Sequence, residues 1–84
     1  MGRRGTVMNN VWEEMDQVLQ ETIEMQQQVL LKCGRRIVPH LTADDMLQPN
    51  DFPELEFHPH FRYEEGILDG LRVARTALLA SRSI

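Results

Sequence analysis

Residues 10–34 read NVWEEMDQVLQETIEMQQQVLLKCG, and this stretch decides the fold. No proline or glycine interrupts it before Gly34. Asn10 is a good N-cap, and Glu13 sits where a capping-box carboxylate reaches back. Glu13 and Glu14 face the positive end of the helix dipole. Gly34 supplies the left-handed residue that commonly closes a helix. The pattern predicts a helix over 10–34, roughly 36 Å long at about 1.5 Å per residue.

On a helical wheel Val11, Trp12, Met15, Val18, Leu19, Ile23, Met25, Val29, Leu30 and Cys33 fall on one stripe, about 160° wide. Glutamates and glutamines fill the opposite face. Val11, Met15, Val18, Thr22, Met25 and Val29 step in heptad fashion, but Thr22 breaks the seam and it covers fewer than three heptads. Gln26 sits inside the stripe, either as a rim amide or as a polar register-setter between helices. Leu31 lies outside the stripe and reads as a single exposed leucine, or else as a contact for the segment that follows. A rod this long, with one oily side, needs a partner.

A second helix is predicted over 59–80. Pro59 suits a first turn, and Glu64 and Glu65 follow near the positive end. Its large apolar strip reads as Tyr63, Ile67, Leu71, Ala74 and Leu78. Gly66 and Gly70 cost about 1 kcal/mol each in helix propensity relative to alanine. Continued by Ala74, they are expected to mark close packing of another backbone. Ser81–Ile84 is expected to fray.

All four prolines fall in the connector, 35–58 and the start of the second helix. A structureless loop of that length is uncommon in a compact domain, so short helical turns are predicted within it. Thr42 is a credible cap for a turn over 43–47, with Leu41 and Met46 as a hydrophobic staple. Asp51 is expected to cap a second turn containing Pro53 and Glu54. Phe52, Leu55, Phe57 and Phe61 are read as the plug that closes the core between the long helices, the alternative being an exposed aromatic patch that grips a partner.

The predicted fold is all-α: an antiparallel hairpin of two long helices with one or two short turns in the connector. Residues 1–9 are expected to be a disordered leader, and 10–81 one helical-hairpin domain. Gly2 and Arg3-Arg4 loosely fit myristoylation and twin-arginine patterns, but no apolar segment follows, and Met8 offers an alternative start.

The chain has 84 residues, 42% hydrophobic and 26% charged, enough for a single modest core. The first helix's stripe is wider than one shorter partner covers, which predicts a C₂ homodimer forming a four-helix bundle. A net charge of −4 argues against general nucleic-acid binding. One cysteine excludes an internal disulfide, and no apolar run of about 20 residues predicts a membrane span. A cytoplasmic location follows by default.

Nucleophile elbow, P-loop and dinucleotide fingerprints are absent, so no enzyme and no cofactor are expected. The favoured function is a protein–protein interaction module, an adaptor, chaperone-like or regulatory protein whose partner is itself or another protein. Its contact residues are expected to be Val11, Met15, Val18, Met25 and Val29. One alternative is a metal site on His58, His60 and Glu64, because His60 and Glu64 are one helical turn apart. It lacks HExxH, paired cysteines and Glu-x-x-His. The other is a nucleic-acid-associated regulator.

Overall fold

The structure, a computed structural model, describes residues 3–82 and the side chains from residue 11 onward. It is all-helical among the described residues. Helix α1 spans Arg3–Ile37, α2 spans Pro53–Glu56 and α3 spans Pro59–Arg82. Two 3₁₀ turns, Asp44–Leu47 and Pro49–Asp51, occupy the connector. The long helices run antiparallel, since Asp16 meets Arg75 near one end and Cys33 meets His60 near the other. The molecule is a rod, 57 Å long and 19 Å across.

Both ends of α1 differ from the expectation. The helix already includes residues 3–9, so Asn10 lies inside it; Met1 and Gly2 are outside the described residues. At the other end, Gly34 is an ordinary helical residue and no described glycine has positive φ. The helix passes through it, and the glycine serves instead to clear space for the chain that crosses there. A Cβ on Gly34 would stand 2.5 Å from a Leu41 methyl and 3.3 Å from the Phe61 ring. Gly34 is the place where the connector crosses against the helix backbone. Arg35 fixes that crossing by donating from Nε to the Leu41 carbonyl at 2.8 Å.

The connector condenses because its polar groups find each other. The Thr42 hydroxyl accepts the Asp45 N–H at 3.2 Å, and the Asp45 carboxylate accepts the Thr42 N–H at 2.9 Å. This is a reciprocal capping box, with aspartate in the usual glutamate position. Leu41 is buried and Met46 packs on the core. Asp51 does not cap the next helix. Phe52 takes the N-cap position of α2, with no side-chain hydrogen bond, and Pro53 opens the helix.

The core is Leu30, Leu31, Cys33, Leu41, Leu55, Phe61 and Leu68, concentrated at the connector end of the rod. Leu55 and Phe61 form the expected plug and Phe52 packs beside it, but Phe57 is 78% exposed. Leu31 is buried, because the connector folds over it.

Further from the connector the helices meet along a regular seam. On α1 the buried or half-buried positions include Trp12, Asp16, Leu19, Ile23, Gln26, Leu30, Cys33 and Ile37. On α3 they include Phe61, Glu64, Leu68, Leu71, Arg75 and Leu78. Both series advance by alternating three and four residues, the spacing of knobs-into-holes packing. The strip expected on α3 is therefore rotated. Leu71 and Leu78 do face α1, but Tyr63, Ile67 and Ala74 are exposed.

The small-residue strip does not pack within the chain. A Cβ added to Gly66 or Gly70 would meet nothing within 4 Å, and Ala74 beside them is exposed. The second helix also extends past Ala80 to Arg82, so Ser81 and Arg82 are helical; Ser83 and Ile84 lie outside the described residues.

Candidate interaction face

From Trp12 to Leu30, the position just before each seam residue of α1 gives Val11, Met15, Val18, Thr22, Met25 and Val29; toward the connector the same position is taken by Lys32 and Arg36. The same shift on α3 gives His60 at the connector end, then Tyr63, Ile67, Gly70, Ala74 and Ala77. In an antiparallel pair these two rows turn to the same side of the hairpin. Reversing the chain direction and reversing the direction of facing cancel, so a shift of one residue, about 100°, rotates both helices toward one face. Met15 and Val18 accordingly line one shallow groove with Ala74 and Leu78.

Those rows are uncovered. Val18 is 62% and Met25 67% exposed, and Val11, Met15 and Val29 are exposed as well. The Thr22 hydroxyl turns back to the Val18 carbonyl at 2.7 Å, which removes its donor from the face. The result is a continuous apolar strip on one side of the rod, about 27 Å long over 18 residues of α1. Isolated exposed apolar residues are ordinary; a row of them along two adjacent helices is not.

The opposite side is different. The positions just after the seam are mainly polar on both helices, including Glu13, Gln17, Gln20, Glu24, Gln27, Glu65, Asp69 and Arg72. The connector also lies on that side. Ala43, Met46 and Pro49 wall a cavity of about 420 Å³ with Leu31, Leu68 and Arg72. One face is covered and polar, the other bare and apolar.

Two polar rungs cross the seam. Arg75 grips Asp16 with Nε at 2.7 Å and Nη2 at 3.4 Å. That grip, with help from the Gln20 amide, holds the Asp16 carboxyl below the usual carboxylate range and raises the Arg75 guanidinium. At the second rung the Gln26 amide donates to the Glu64 carboxylate at 2.8 Å and to the Glu64 carbonyl at 3.0 Å. Gln26 thus bridges the two helices, as the register-setter reading requires, and is not a rim amide in water.

The His58, His60 and Glu64 candidates are placed as follows. The Nδ1 of His58 accepts the Phe61 N–H at 3.5 Å, which makes His58 the cap of α3. His60 Nε2 stands 3.4 Å from the Glu64 carboxylate, and its Nδ1 stands 3.8 Å from the Cys33 sulfur. These contacts fit a thiol donating to Nδ1 and a ring N–H donating to Glu64. Burial, then the Glu64 carboxylate, push the Cys33 thiol up, against a smaller opposing pull from Arg36. Cys33 is 3% exposed, and its thiol stays protonated at neutral pH. Among the described residues no three His, Cys, Asp or Glu side chains are placed to share a metal ion.

Sequence reasoning missed the Asp16–Arg75 rung and the Cys33–His60 contact. The rung's signal was present, since Asp16 and Arg75 both occupy seam positions; His60 stands one position before the seam residue Phe61, and its contact with Cys33 had no such signal. No family model, curated protein or solved structure matches this chain. No described helix is long and apolar enough to cross a membrane.

Proposed function

We propose that this chain is a non-enzymatic interaction module that works by helix-on-helix contact, and that it self-associates as a C₂ dimer forming a four-helix bundle. The observation that carries this reading is the bare apolar strip of Val11, Met15, Val18, Met25 and Val29 beside Ile67, Gly70 and Ala74. The inner seam consumes one side of each helix and leaves a second, adjacent side of the same spacing open. A four-helix bundle built from two hairpins uses two such sides on every helix. The exposed methionines suit a surface that adapts to what covers it.

Molar mass by light scattering over a range of concentrations tests the proposal. The expected result is a species of twice the 9.8 kDa chain mass. Elution volume alone would mislead, because a 57 × 19 Å rod elutes early for its mass. A strict monomer at every concentration overturns the self-association. Val18→Glu with Met25→Glu is expected to give a helical monomer, because both side chains stand outside the intrachain seam.

A further inference from the structure

The side of the rod that the connector covers holds a cavity that the inner seam does not explain. The two 3₁₀ turns, Asp44–Leu47 and Pro49–Asp51, stand off from the long helices and leave about 420 Å³ between. That volume falls within the roughly 300–1,000 Å³ of small-molecule sites. The floor is apolar: Leu30, Leu31 and Leu68 are buried core residues that line it. Met46 and Leu47 wall it, and Leu47 is 78% exposed. An occupant with an apolar body would cover a leucine that otherwise stands in water.

The edges are polar, and most of their polar groups are unspent. Glu65, Asp69 and Arg72 line the α3 edge. Glu65 is taken, since Arg62 Nη1 holds its carboxylate at 2.8 Å. Asp69 and Arg72 are three residues apart and carry opposite charges. Yet among the described residues neither side chain forms an ion pair, with the other or with anything else. Gln27 and Gln28 line the α1 edge, and their amides make no hydrogen bond among the described residues.

We propose that this cavity binds a small zwitterion with an apolar body, the charge pattern of a free hydrophobic α-amino acid. The body lies on the leucine floor, the ammonium meets Asp69 and the carboxylate meets Arg72. The amides of Gln27 and Gln28, which both donate and accept, face the same ligand from the α1 edge.

Charge selects this class. Side chains three apart on a helix have their Cβ atoms about 5–6 Å apart, so one small molecule carrying both charges reaches both. A simple amine satisfies Asp69 but sets its charge beside Arg72. A simple carboxylate satisfies Arg72 but sets its charge beside Asp69. Discrimination of this kind uses the repulsive partner as much as the attractive one. An internal peptide segment brings neither terminal charge. The cavity lies on the side away from the bare apolar strip, so self-association leaves it open, and the two proposals stand or fall separately.

The test titrates the full chain, with isotope-labelled methionine methyls, against phenylalanine, phenethylamine and hydrocinnamate, which share one body and differ in charge. Met46 reports on the cavity; Met15 and Met25 report on the bare strip. Phenylalanine is expected to shift the Met46 methyl saturably and to bind about fivefold more tightly than either analogue, the scale of one half-exposed ion pair. Asp69→Asn is expected to bring phenylalanine down to the level of hydrocinnamate, and Arg72→Gln to that of phenethylamine. Both side chains are exposed, so circular dichroism should show unchanged helix in either variant. No saturable shift at Met46, shifts confined to Met15 and Met25, or equal binding of the three compounds overturns the assignment. So does phenylalanine binding that neither substitution weakens.

Discussion

Gly34 is the residue whose role departs furthest from its sequence signal. Glycine late in an amphipathic run usually ends the helix, and nothing local distinguishes a terminator from a residue that clears space for a crossing chain. The distinction lies in Leu41 and Phe61, seven and 27 positions away. Gly34→Ala gains about 1 kcal/mol of helix propensity. It loses about 1–3 kcal/mol to overpacking against two buried side chains. A net loss of up to about 2 kcal/mol in chemical denaturation is expected, and Gly34→Val should lose more. Gly66→Ala is expected to act in the opposite sense, gaining about 1 kcal/mol, because its Cβ would enter open space. Cys33 adds a pH signature. Its thiol is raised in the folded chain, so its contribution is complete below the ordinary thiol range and fades as pH rises above it. Stability measured across that alkaline range should fall less for Cys33→Ala than for the parent chain.

At the scale of the element, the two long helices, their order and the capped turn at Thr42 were legible in the sequence. Unbroken 3.6-residue periodicity and reciprocal capping are local signals. The facing of the helices was not legible. On α3 hydropathy points to Tyr63, Ile67 and Ala74, whereas the helix turns Glu64 and Arg75 inward. A charged residue reads as solvent-facing until its partner is known, and here the partners, Gln26 and Asp16, lie on the other helix. The seam becomes visible only when both helices are read together, as two heptad rows with a polar position at matching levels. The Asp16 rung has a testable sign. Its carboxyl is held low by Arg75, so its contribution is present above the ordinary carboxylate range and disappears as pH falls below it. Acid titration of stability should be shallower for Asp16→Asn than for the parent chain.

At the scale of the whole molecule, the hairpin is well packed at its connector end and open along one flank. The buried side chains gather around Leu55 and Phe61, while the half of the rod beyond Gln26 has no fully buried residue among those described. Hydrogen exchange is therefore expected to be slowest over residues 30–34 and 61–68 and faster toward Trp12 and Leu78. Dimerisation should slow exchange most in that outer half, since the bare strip runs along it. If dilution to monomer leaves the exchange of residues 11–25 unchanged, the strip is not the contact surface.

The paired rungs carry one last consequence. Asp16 and Gln26 stand ten positions apart along one rod, like two dowels in a sliding joint, and each admits a single setting. Losing one dowel leaves the setting defined by the other. Losing both leaves the setting to the joint's far end, around Gly34 and Phe61, and lets the outer stretches of the two rods shift past one another, so the outward rows would fall out of step and a chain could keep its helices and forfeit its mate.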